Sequence, residues 1–195
     1  IVLTPASLRE NFINELKFCG DIFYRRSNYW IFIKSDDSRI DFLNLTKVIG
    51  LTQEEIEKQG GVWLSLKNRK SNYDELNDDE KKSLENQINK MIANKYEFIN
   101  YNGIRKKRFM EMTENGSKNI FENAVIIIEE AHNLVSRIMN KLDKKESMFY
   151  KMYEMLMNTN KSRIVCLTGT PIINYPNEIG ILYNIIFNLL QKLVL

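Results

Sequence analysis

Apolar and polar positions alternate along this chain in blocks that suit strands and helices in turn. Residues 1–3 form a short apolar run, and a helical pattern follows from roughly Ser7 to Phe18. Tyr29–Lys34, with bulky Trp30 and Phe32, predicts a strand, and the acidic segment Gln53–Lys58 predicts a helix that stops at Gly60-Gly61. The polar run 68–82, with Asp78-Asp79-Glu80-Lys81-Lys82, reads as a solvated loop leading into a helix. Leu84, Ile88, Met91 and Ile92 then fall on one helical stripe, core-facing by default, before a strand at 96–99. Two β-branched runs follow, Ala124-Val-Ile-Ile-Ile-Glu-Glu-Ala-His132 and Ser162-Arg-Ile-Val-Cys-Leu-Thr-Gly-Thr-Pro171, and each reads as a buried strand of a parallel sheet. In the apolar stretch 179–195, Ile179, Leu182, Tyr183, Ile186, Leu190 and Leu193 recur at helical spacing, with Asn174 and Pro176 as start signals. Asn184, Asn188, Gln191 and Lys192 interrupt it, so it predicts an amphipathic core helix rather than a membrane span. Strands alternating with helices in this way predict an α/β fold with a doubly wound, mainly parallel sheet.

The chemistry concentrates at the ends of the two β-branched runs. Glu129 and Glu130 close the first, beside His132, the single histidine of the chain. Carboxylates at the carboxyl end of a parallel strand sit where open α/β sheets place their ligands. A buried strand running into an acidic helix start explains the same pair, because Glu is favourable there. Thr168-Gly169-Thr170-Pro171 closes the second run. Small hydroxyl residues around a glycine can approach a neighbouring loop and donate to its carboxylates, although Gly and Pro also mark ordinary turns.

Composition changes this picture little. The 195 residues suffice for one domain with a sizeable core, and 44% apolar with 27% charged residues is ordinary for a globular protein. A net charge of +3 does not by itself imply nucleic acid. Cys19 and Cys166 offer neither a disulfide framework nor a metal spacing, which makes an intracellular, reducing compartment the default. Arg105-Lys106-Lys107-Arg108 suits phosphate contacts, and a solvated helix face accounts for it equally. Trp30, Trp63 and the tyrosines between residues 21 and 95 offer rings for base stacking, though most are expected in the core.

The ordered pair EEAH and TGTP, each after a buried strand, resembles motifs II and III of the superfamily 2 helicases and translocases. The opening Ile1-Val-Leu-Thr-Pro-Ala-Ser-Leu8 resembles their motif Ia. The wording of Tyr96-Glu-Phe-Ile-Asn-Tyr-Asn-Gly103, Glu129-Glu-Ala-His-Asn-Leu-Val135 and Thr168-Gly-Thr-Pro-Ile-Ile-Asn-Tyr-Pro-Asn-Glu178 is similar to helicase-like ATPases of nucleocytoplasmic large DNA viruses. Residues 19–95 match only loosely.

That resemblance implies a RecA-like P-loop NTPase fold with ATP and Mg²⁺ as cofactors and DNA or RNA as partner. By it, Glu129 would hold Mg²⁺ through water, and Glu130 would orient and deprotonate the attacking water. His132, Thr168 and Thr170 would couple the nucleotide to domain closure. Thr4 and Pro5 would face the nucleic-acid backbone, with Tyr101, Asn102 and Arg105 as further contacts. One departure stands out: Glu129 occupies a place where the family usually has Asp, which moves the carboxylate outward by one methylene.

No Gly-x-x-x-x-Gly-Lys followed by Ser or Thr occurs here. The expectation is therefore residues 1–195 as part of a first RecA-like domain, interrupted by an insertion at about 21–95. The phosphate-loop strand and the second RecA-like domain would belong to the rest of a larger motor. Two functions follow: an ATP-dependent helicase or translocase, or a non-hydrolysing, helicase-like binding subunit of a viral transcription or packaging complex. A viral owner would place it in the host cytoplasm or the virion. A metalloprotease is a poor third reading, because EEAH offers one histidine where two are needed.

Overall fold

A computed structural model describes residues 1–37 and 42–193. In chain order the first elements are β1 (Val2–Thr4), α1 (Arg9–Cys19), β2 (Tyr29–Lys34), α2 (Phe42–Ile49), α3 (Gln53–Lys58), β3 (Gly61–Leu66) and α4 (Asp78–Lys95). Then come β4 (Phe98–Asn100), α5 (Lys106–Met112), β5 (Val125–Glu129), α6 (Ala131–Met139), α7 (Met148–Met157), β6 (Arg163–Leu167) and α8 (Asn177–Leu193). The chain divides into two compact units, one of Ile1–Arg9 with Phe98–Leu195 and the other of Glu10–Glu97.

The first unit is built on a four-stranded sheet of order β4-β1-β5-β6. All its pairings are parallel. It is thus the α/β, mainly parallel sheet that the alternation predicts, in keeping with a RecA-like fragment. Leu3 pairs with both Ile99 and Ile128, and Ile128 with Cys166, so these four side chains share one face. That face carries the core, with Ile126 and Ile128 packed among Phe109, Phe121, Leu134, Ile138 and Met152. On the opposite face Val125, Val165 and Leu167 are exposed. The two β-branched strands are therefore buried mainly on one side, not on both, because the helices that carry the core cluster pack on one face only. Cys166 points to the core side, and burial pushes its thiol up to about 11.

In α8 the sequence pattern finds the core face only in part. Of the expected stripe Leu182 packs against the core, whereas Ile179, Tyr183 and Ile186 are exposed, and Ile181 and Ile185 are the buried residues; Leu190 and Leu193 lie outside the described side chains. The helix is apolar nearly all round, so periodicity cannot choose its rotation. A polar residue does: the Glu178 carboxylate is buried and accepts from the amides of Ile173 at 2.8 Å and Asn174 at 3.2 Å. That anchorage turns Ile181 and Ile185 inward with it.

The second unit pairs β2 with β3 as an antiparallel ribbon, from Tyr29 opposite Leu66 to Lys34 opposite Gly61. Its core includes Trp30, Val62, Trp63, Leu84, Ile88, Met91 and Ile92, so the expected stripe of α4 does face inward. The amide of buried Gln87 brackets the backbone of Trp63, with both bonds at 2.8 Å. Gly60 (φ 76°) ends the turn after α3, but Gly61 opens a strand rather than closing the helix. A Cβ at Gly61 would lie 2.3 Å from the Ile33 carbonyl, so only glycine fits that crossing.

Candidate functional site

The carboxyl ends of the four parallel strands converge, as the strand order requires. Leu3 stands opposite Ile128, so the next residues, Thr4 and Glu129, project to one face as neighbours. The Thr4 hydroxyl donates a short hydrogen bond to Glu129 Oε2. Thr4 is fully buried, which leaves its hydroxyl no other outlet than this carboxylate and the Pro5 carbonyl. Tyr101 follows β4 on the opposite, core face. Its hydroxyl lies 3.0 Å from the Glu129 carbonyl and 3.1 Å from that of Glu130.

Between those carbonyls the chain makes a sharp turn. Glu130 has φ 48° and ψ 52°, the left-handed region that disfavours any residue with a Cβ, and α6 starts at the next position. The turn lifts the Glu130 side chain toward His132, whose Nδ1 is 3.3 Å from Glu130 Oε2. The same Nδ1 lies 2.7 Å from Thr168 Oγ1 and 3.2 Å from Thr170 Oγ1. A ring protonated on Nε2 accepts from the threonines; one protonated on Nδ1 donates toward Glu130 or a threonine oxygen. The Thr168 hydroxyl also accepts from the Thr170 amide at 3.2 Å, which folds the loop around the histidine. EEAH and TGTP are thus brought together as one hydrogen-bonded cluster.

Beyond that loop, Asn174 Nδ2 donates to Ser136 Oγ on α6 at 2.8 Å, and Glu178 holds the loop amides. Burial alone would raise the Glu178 pKa, but bonds from Ile173, Asn174 and Ser136 hold it below the usual carboxylate value. In the sequence Asn174 is a helix start signal, and the contacts of Glu178 and Ser136 are not legible. The one available hint was an acidic residue in the first turn of a helix after a glycine-proline loop.

The expected nucleic-acid contacts divide. Asn102 and Arg105 are exposed, and Asn102 Oδ1 accepts from the Ala6 amide at 2.9 Å, joining the turns after β1 and β4. Lys106, Lys107 and Arg108 are exposed as well, and none of residues 105–108 has an ion-pair partner among the described residues. Thr4, Pro5 and Tyr101 are buried, Tyr101 to 1% exposure, and Tyr101 continues the core-facing row of β4.

For a divalent metal, the described residues hold no group of three or more His, Cys, Asp or Glu side chains. Mg²⁺ needs no such cage, since it keeps several waters and takes one or two carboxylates with substrate phosphates. Glu129 fits that role, because Thr4 binds only one of its carboxylate oxygens.

No described helix is long and apolar enough to cross a membrane. No family model and no solved structure matches the chain. Among curated proteins it is similar to one named as a presumptive helicase, from Invertebrate iridescent virus 3, at 33% identity over 100 residues. That match covers 51% of this chain and 10% of the viral protein. A second relative is named as a presumptive ATP-dependent RNA helicase, from Acanthamoeba polyphaga mimivirus. It is 31% identical over 108 residues, 54% of this chain and 21% of that protein. The chain therefore spans about a tenth to a fifth of the length of these relatives, and over about half its own length it is similar to viral proteins named as helicases.

Proposed function

We propose that this chain forms part of an ATP-driven helicase or translocase acting on DNA or RNA. The observation that carries the reading is the arrangement at the sheet's carboxyl edge, where Glu130, Thr168 and Thr170 gather around His132 and the neighbouring Glu129 is held by Thr4. Phosphoryl transfer asks mostly for positioning and charge neutralisation, and this cluster offers both. Glu129 would hold Mg²⁺ through water, and the bound ion supplies neutralisation of phosphate charge. Glu130, lifted by its left-handed turn and half-exposed, orients the attacking water and takes its proton. His132 relays the state of that carboxylate to Thr168 and Thr170, on the loop that would meet a second RecA-like domain. The exposed cations at residues 105–108 favour a phosphate backbone nearby, which binds without sequence preference. Similarity to proteins named as viral helicases supports the same class and suggests a viral transcription or replication setting.

The test is made on the full-length polypeptide that carries this sequence. Glu130→Gln keeps size and hydrogen bonding but removes the proton acceptor, so nucleic-acid-stimulated ATPase should fall on the order of 10²–10⁴-fold. Affinity for a fluorescent ATP analogue should stay near wild type. Glu129→Gln should instead weaken Mg²⁺-dependent binding of that analogue. A Glu130→Gln variant that hydrolyses ATP at the wild-type rate would overturn the assignment. Wild-type protein with no hydrolysis in the presence of nucleic acid would leave the non-hydrolysing binding subunit as the reading.

A further inference from the structure

We infer that Tyr101 is the positioning residue of this site, holding the Glu129–Glu130 turn in its left-handed form through one shared hydroxyl. The inference rests on the proposed role of Glu130 for its functional meaning, though not for its geometry. Glu130 adopts φ 48° without being glycine and starts α6 with no side-chain cap; locally its carbonyl accepts from the Asn133 amide at 2.9 Å. A left-handed residue with a Cβ persists only where the surroundings over-determine it. Here the support from a distant strand comes through one atom. The Tyr101 hydroxyl bridges the carbonyls on either side of the turn, at 3.0 and 3.1 Å.

Three further features make Tyr101 suited to this. Its ring is 1% exposed and packed in the core cluster, so the hydroxyl is delivered to a fixed point. Burial, then the charges of Glu130 and Glu129, push its phenol above the ordinary value. The residue also opens the turn that continues through Asn102 to the exposed cations at residues 105–108, four to seven positions away. A strand of nucleic acid bound there would pull on the same short segment that fixes Glu130.

The chain's single histidine gives a readout that needs no catalysis, because His132 Nδ1 lies 3.3 Å from Glu130 Oε2. In the 195-residue chain, Tyr101→Phe should shift and broaden the one imidazole Hε1 resonance at fixed pH, with circular dichroism unchanged. A merely space-filling tyrosine would leave that resonance where it is, and this outcome overturns the proposal. A glycine in place of Glu130 adopts the left-handed turn without strain, so the second arm compares urea unfolding of Tyr101→Phe in wild-type and Glu130→Gly backgrounds. The loss should be smaller in the Glu130→Gly background, and an equal loss in both also overturns the proposal. If Tyr101→Phe does not fold alone, the Glu130→Gly background should restore folding; failure in both counts against the lock. In the full-length protein the same variant should lower ATPase kcat about ten- to a hundred-fold with KM for ATP unchanged. Wild-type protein without ATPase would remove the catalytic reading while the imidazole signal still decides the geometric one.

Discussion

At the scale of single residues, buried polar groups rather than exposed charges fix this molecule. Glu178 illustrates the point, since its carboxylate serves two loop amides and the Asn174 side chain from inside the fold. Charge-assisted bonds of this kind contribute about 1.5–3 kcal/mol to stability, so Glu178→Gln should cost about that much in urea unfolding at neutral pH. The sign of the pH dependence follows from its depressed folded pKa. The contribution is fully present above the ordinary carboxylate value and lost as pH falls through the depressed one. The gap between wild type and Glu178→Gln should therefore close in acid. A gap that stays constant from neutral pH to strong acid would show that the carboxylate's charge is not what matters. Much of the candidate cluster was legible at this scale. Glu129, Glu130, His132, Thr168 and Thr170 stand in two short motifs, and the structure gathers Glu130, Thr168 and Thr170 around His132. Tyr101 reads in sequence as a nucleic-acid contact by resemblance alone, and its bonds to the Glu129 and Glu130 carbonyls depend on which face of the sheet it takes.

At the scale of elements, local sequence and packing agree in α4 and only in part in α8. Asn77 caps α4 by accepting from the Glu80 amide at 2.9 Å, while the Glu80 carboxylate accepts in return from the Asn77 amide at 2.9 Å. Asn77→Ala should destabilise the unit of residues 10–97 by about 1 kcal/mol, read as an earlier tryptophan-fluorescence transition in urea. An unchanged midpoint would show the helix start to be set by tertiary contacts instead. That box, with the stripe of Leu84, Ile88, Met91 and Ile92, explains why α4 is readable in sequence. In α8 apolar side chains surround the axis, and Tyr183 stacks on Phe187 at the surface with ring centroids 5.1 Å apart. Periodicity therefore finds its buried side only in part.

At the scale of the whole molecule, the division into two units supplies separate spectroscopic probes. Both tryptophans, Trp30 and Trp63, belong to the unit of residues 10–97, and the only histidine belongs to the other. Within the tryptophan unit, Glu85 binds Arg26 and, at 2.8 Å, Lys17. Burial alone would raise its pKa, but those hydrogen bonds and charges hold it down at about 2, against an ordinary 4.5. Its stabilisation is thus complete above about 4.5 and is lost as pH falls from there to about 2. Glu85→Gln should lower the tryptophan-reported midpoint at pH 7 and converge with wild type near pH 2. The His132 resonance should follow its own transition and not move with that substitution. A His132 transition that shifts in step with the tryptophan one would mean that the two units unfold as one.

What the sequence determined by itself is the local part: the alternation of strands and helices, the capping of α4, and the two motifs whose residues meet at the site. Those follow from side-chain period and backbone preference, which act over a few residues. Only the tertiary structure decided the rest. Strand register set Thr4 beside Glu129, and the sheet face set the Tyr101 hydroxyl under the Glu130 turn. A buried carboxylate, not an apolar stripe, set the rotation of α8. Each of these depends on which segments lie side by side, and residues roughly 30 to 125 positions apart leave no periodic trace of that in one another's neighbourhoods.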